Sequence, residues 1–235
     1  MKVTNLKNSQ AFALIELLVV ITIIAILASF ATPAFQKIQE KAKRGKDVNN
    51  QRQIVLGCRT FAADWDGSFP FGAADDDAAE GGEEEDGASS SVDCFNDLVP
   101  DYIDTEAIFW IKTKNPDKQR APKEDGELEG EECTFVYVNG QFDTSFSRSP
   151  LVADGEMDGP GEMGEYHPWL DSKKCVVGFV GGHVKEMPLN GSSTGSTVMS
   201  DDRRVENIFE ERPDGEESEG GGLLDTDQSN VLLPE

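Results

Sequence analysis

From Phe12 to Phe35 the chain reads FALIELLVVITIIAILASFATPAF, 24 residues in which Glu16 is the one charge. As an α-helix this run rises about 36 Å, enough to cross a bilayer with some tilt. A signal-anchor fits that length, and so does a secretory signal cut after a small residue such as Ala31 or Ala34. Neither reading accounts for Glu16. A carboxylate at membrane depth costs roughly 2.5–3.5 kcal/mol even on the lenient insertion scale, so it needs a partner or a purpose.

Charge is divided along the chain. Its 235 residues suffice for one modest domain with appendages. They hold 45 acids against 21 bases, a net charge of −24. From residue 53 onward, 13 bases face 42 acids, which leaves −29 there and +5 on the first 52 residues. Such a polyanion repels nucleic acid and anionic surfaces, so no nucleic-acid partner is expected. Lys37, Lys41, Lys43, Arg44 and Lys46 directly follow the apolar run. They belong on the cytoplasmic or headgroup side of an anchor at some stage, or on a solvated helix face.

The leader MKVTNLKNSQA followed by FALIELLVVITIIAIL resembles the type IV pilins and type II secretion pseudopilins, most closely the pseudopilin G-like proteins. The resemblance implies a leader at 1–11, cut by a prepilin peptidase between Ala11 and Phe12, with methylation of the new Phe12 amine. Gly is usual before the cut, and Ala11 is a small substitute for it. The resemblance also makes Glu16 the intramembrane assembly acid and Pro33 the helix-kinking proline. Physical chemistry supports that mechanism. The freed α-amine has a pKa near ~8 and is largely cationic at neutral pH. In a staggered stack of helices it pairs with a neighbour's Glu16, which compensates both buried charges and sets the register. Pairing within one chain is the bland alternative.

The transmembrane helix, 12–35, is expected to continue over 36–64, giving a rod of about 78 Å from Ala13 to Asp64. Ile54, Val55, Cys58, Phe61 and Ala62 share one helical face and should dock on a globular domain. Lys43–Gln53, polar all round, should bridge membrane and domain. DWDGSFPF at Asp64–Phe71 ends the helix. A small β domain is expected over 65–190, interrupted by an acidic low-complexity loop at 72–91. Strands are expected at Cys133–Asn139, Ser149–Ala153, Val176–Phe179 and His183–Met187, with hairpin turns at Asn139-Gly140 and Gly181-Gly182. Residues 92–111 suggest a short helix or turn and then a strand. Residues 191–235, acid- and glycine-rich, should form a mobile tail with a short helix at Arg203–Glu211. The fold class is α+β and pilin-like: a long N-terminal helix whose second half packs on a small antiparallel sheet.

Asp154, Glu156, Asp158 and Glu165 fit positions one, three, five and twelve of a calcium loop, although Pro160 and Gly161 break its second half. A solvated acidic loop is the competing reading. Cys58, Cys94, Cys133 and Cys175 contain no C-x-x-C pair, which argues against zinc. In an exported chain they allow disulfides in three connectivities. Cys58 reads as core, and Cys94 and Cys133 are disulfide candidates. His167 and His183 read as surface or packing residues. Nucleophile elbow, phosphate loop and zinc-protease helix are absent from the sequence, so no enzyme is expected.

These readings converge on a single-pass subunit of a bacterial inner membrane, its C-terminal domain exported to the periplasm. Its expected partners are prepilin peptidase, other copies, minor pilins or pseudopilins, the inner-membrane assembly platform and membrane lipid. The rivals are a monomeric single-pass protein with an acidic cation- or partner-binding ectodomain, and a secreted protein cut after Ala31.

Overall fold

The computed structural model describes residues 10–71, 88–118, 120–212, 222–224 and 230–234. The chain divides into two compact units at Gly45 and Lys46. Helix α1, Gln10–Asp64, runs through both. Most of the leader, and most of the acidic loop expected at 72–91, lie outside the described residues.

In the first unit α1 exposes its apolar side chains all round, from 48% at Val19 to 73% at Phe30. Its hydroxyls between Phe12 and Phe35 bond back to the helix backbone. Thr22 donates to the Leu18 carbonyl at 2.7 Å, Ser29 to Ile26 at 2.7 Å and Thr32 to Ala28 at 3.0 Å. A helix with every hydroxyl satisfied internally and apolar residues on every side is suited to hydrocarbon rather than water. Pro33 lies within the continuous helix.

The second unit is built on a five-stranded antiparallel sheet. Its strands are β1 Phe135–Asn139, β2 Pro150–Asp154, β5 Lys174–Phe179, β6 Val184–Pro188 and β7 Asn230–Leu232, in spatial order β6-β5-β2-β1-β7. The short strands β3 Met157–Gly159 and β4 Glu162–Met163 form a separate hairpin. Tyr137 stands opposite Val152, and Ala153 opposite Val177. The hairpin expected at Gly181-Gly182 joins β5 to β6, with Gly182 at φ +87°. Gly140 also takes a left-handed turn, φ +76°, yet the chain runs through 140–149 before β2 begins.

Ile54, Val55, Cys58, Phe61 and Ala62 are buried as a face of α1. They share one apolar cluster with Phe135, Tyr137, Leu151 and Val176 of the sheet. Gly178 sits under this contact, where an added Cβ would lie 2.6 Å from Val55 Cγ2, so helix and strand approach as closely as they do because no side chain intervenes. The helix ends in a reversal with Asp66 and Gly67 at positive φ, and the Gly67 amide returns to the Ala62 carbonyl at 2.8 Å.

Three expectations are corrected. Residues 191–235 are not simply a tail: Val198, Ile208, Phe209, Leu223 and Leu224 are buried against Val136, Val138, Val177 and Phe179 on the other sheet face, and β7 adds an edge strand to β1. A sheet apolar on both faces must be covered on both, and these residues cover the second. No helix forms at 203–211, where tight turns bring Ile208 and Phe209 inward instead. Finally, 92–111 gives helix α2, Ser91–Asn96, and a 3-10 turn at Glu106–Phe109 but no strand. The Phe109 carbonyl accepts from the amide of Thr134, just before β1, at 3.0 Å, and Ser91 Oγ donates to the Phe135 carbonyl of β1 at 2.9 Å.

Candidate functional site

Two places carry polar chemistry out of keeping with their surroundings. The first is the start of α1. Glu16 is exposed among exposed leucines, isoleucines and valines, and toward the C-terminus the next basic residue in sequence is Lys37. Ala11 and Phe12 lie in the first turns of α1, so the helix already spans the expected cleavage point. A protonatable amine freed there would lie one helical turn from Glu16 along the same helix.

The second is buried in the compact unit. Lys43–Gln53 was expected to have no buried face, and the structure corrects this: Asp47, Asn50 and Gln51 are buried, one turn before Ile54 on the same helix. Their spacing of zero, three, four and seven was legible, but the polar residue types disguised it. Asp47 accepts from the Trp169 indole at 2.9 Å and from Gln51 Nε2 at 3.2 Å. Gln51 also donates to the Val176 carbonyl at 3.0 Å. Burial, reinforced by the neighbouring Asp154 carboxylate, pushes the Asp47 carboxyl well above the ordinary aspartate range.

Asp154, at the end of β2, is fully buried. Its Oδ1 accepts from the Cys175 thiol at 2.7 Å and from the Val176 amide at 2.9 Å. His167 is fully buried too, with Nε2 3.5 Å from the same oxygen. Burial, then the Asp154 charge, drives the Cys175 thiol well above its usual pKa.

The four carboxylates of the expected calcium loop are scattered. Asp154 points into this buried cluster, Glu156 accepts from Asn115 Nδ2 at 3.0 Å, and Asp158 and Glu165 are exposed. Among the described residues, the three-residue group of ligand-type side chains that does come together is Asp154, His167 and Cys175. The other cysteines supply no bridge. All four are free and buried, Cys94 and Cys133 included. Burial pushes the Cys133 thiol up to about 11, and raises Cys58 and Cys94 as well. His183 is a packing residue stacked on Phe179 at 4.6 Å between ring centroids. Burial and then the charge of Lys185 lower its pKa.

Residues 6–32 match the family model of the prokaryotic N-terminal methylation motif. No curated protein and no solved structure matches the chain. The motif supports a type IV pilin-like precursor of the kind that prepilin peptidase processes, and it marks structural rather than enzymatic proteins. With the apolar helix behind it, the motif fits a subunit anchored in the inner membrane.

Proposed function

We propose that this chain is a structural subunit of a pilus-like filament, either a type II secretion pseudopilus, as its likeness to pseudopilin G-like proteins suggests, or a type IV pilus. The observation that carries this reading is Glu16, a lone acid in an apolar helix immediately after a methylation motif. Prepilin peptidase cuts after Ala11, Phe12 is methylated, and the domain from Lys46 onward faces the periplasm. Assembly pairs the Phe12 amine of one copy with Glu16 of the next, under the action of the inner-membrane platform and alongside minor subunits. An unpaired acid in the membrane is costly, so copies that miss this register are disfavoured.

Mass spectrometry of the mature chain tests the processing, with N-methyl-Phe12 as the expected N-terminus. A chain beginning at Met1, or at Thr32 after a cut behind Ala31, would overturn the reading. Glu16→Val tests the assembly: the variant should be cleaved and inserted but stay out of filaments. Normal filament entry by this variant would show that the carboxylate is dispensable. Correct processing with no filament in any condition would favour the monomeric single-pass alternative.

A further inference from the structure

Asp154, His167 and Cys175 come from three separate segments: the end of β2, the connection after β4, and β5. Their ligand atoms all lie within 4.8 Å of one another, and all three residues are fully buried. Two of the polar atoms in this group have no hydrogen-bond partner, Asp154 Oδ2 and His167 Nε2. Buried polar atoms in folded proteins are almost always satisfied, and leaving one alone is costly. These two atoms lie in one cluster beside the Cys175 thiol, with the buried Asp47 carboxyl next to Asp154.

We propose that Asp154, His167 and Cys175 bind a single zinc ion, with water completing its tetrahedron. A thiolate, an imidazole and a carboxylate form a donor set of borderline softness, the kind that zinc takes in preference to calcium or magnesium. The charges cancel, since a divalent cation with one thiolate and one carboxylate is neutral, as a fully buried site requires. On binding, the Cys175 thiol gives up its proton to solvent, and its hydrogen bond to Asp154 Oδ1 is replaced by a bond from sulfur to metal. His167 offers the Nε2 lone pair, so Nδ1 carries the ring proton. The long contact of the Trp169 amide to Nδ1, 3.4 Å, is then given up. Tetrahedral zinc sets its ligand atoms roughly 3.3–3.8 Å apart; His167 Nε2 already stands 3.5 Å from Asp154 Oδ1, and Cys175 Sγ backs away from its 2.7 Å contact with that oxygen. The absence of a C-x-x-C pair is no obstacle, because strands β2 and β5 and the connection after β4 bring the donors together.

The test uses the full chain purified in detergent without chelators. Elemental analysis should find about one zinc per chain. Removing the metal should lower the melting temperature, and zinc but not magnesium should restore it. Cobalt added to the metal-free chain should give a thiolate charge-transfer band and the strong visible bands of a tetrahedral site. Cys175→Ser should lose the charge-transfer band, whereas Cys58→Ser, Cys94→Ser and Cys133→Ser should each keep it. Should Cys175→Ser fail to fold, retention of the band by the other three variants assigns the thiolate by elimination. A wild-type chain without the cobalt band overturns the proposal, and so does a band that survives in Cys175→Ser. In either case a proton held between Asp154 and His167 is the better account of the two lone atoms.

Discussion

Gly178 shows how narrow the tolerance is where α1 meets the sheet. An alanine Cβ there would stand 2.6 Å from Val55 Cγ2, well inside van der Waals contact, and the neighbouring Val184 Cγ2 is 3.6 Å away on another side. The helix or the strand must therefore shift. Overpacking of this kind costs about 1–3 kcal/mol. Gly178→Ala should lower the urea midpoint of the full chain accordingly, and Val55→Ala in the same chain should recover part of the loss by vacating the contested space. If the double variant is no more stable than Gly178→Ala alone, the clash is not the cause. This glycine reads as an ordinary β-strand residue in the sequence, where only its position in VVGF hints that something approaches closely.

At the scale of elements, helix α2 depends on a reciprocal cap. The Asp93 amide donates to Ser90 Oγ at 3.4 Å, and the Ser90 amide returns a bond to Asp93 Oδ2 at 2.9 Å. Burial raises the Asp93 carboxyl somewhat, but the bonds from Ser90 and Ser89 outweigh it and hold the group below the ordinary aspartate range. A carboxyl whose folded value is depressed stabilises the fold above its unfolded value, near ~3.9, and this stability is lost as pH falls through the folded value. Asp93→Ala should cost roughly 1 kcal/mol at pH 7, and the gap to wild type should close in acid below the folded value. An equal gap at both pH values would mean that the charge contributes nothing. The second sheet face makes a larger claim. Phe209 is buried there, and Phe209→Ala should cost roughly 3 kcal/mol, whereas a residue in a mobile tail would cost almost nothing. The apolar face of α1, four of the strands and the Gly181-Gly182 hairpin were legible because each has a period or a turn dipeptide. The covering layer was not. Ile208 and Phe209 are two apolar residues among acids and glycines, and their burial follows only from the need to cover VVGF and FVYV on both sides. The Asp47, Asp154, His167 and Cys175 cluster was illegible for a related reason: its members are spread over more than a hundred residues, and they meet only where the paired strands β2 and β5, helix α1 and the connection after β4 pack together.

The whole molecule combines an apolar anchor with a strongly acidic remainder, −29 from residue 53 onward. Assembly through the anchor would bring many such acidic bodies side by side, and their repulsion opposes what the helices favour. Because these charges are mostly exposed among the described residues, salt screens them: the Debye length shrinks from about 30 Å at 0.01 M to about 8 Å at 0.15 M. Self-association of the processed full chain, followed by sedimentation in detergent or after reconstitution, should therefore rise with ionic strength. Divalent cations should promote it at lower concentration than sodium does. Calcium and magnesium should act alike, because Asp154 is committed to the interior and Asp158 and Glu165 are ordinary surface carboxylates. Association that ignores salt would mean that the acidic surfaces do not face one another in the assembly. A response to calcium at concentrations where magnesium does nothing would point instead to a specific site, and would restore the loop of Asp154, Glu156, Asp158 and Glu165 as its first candidate.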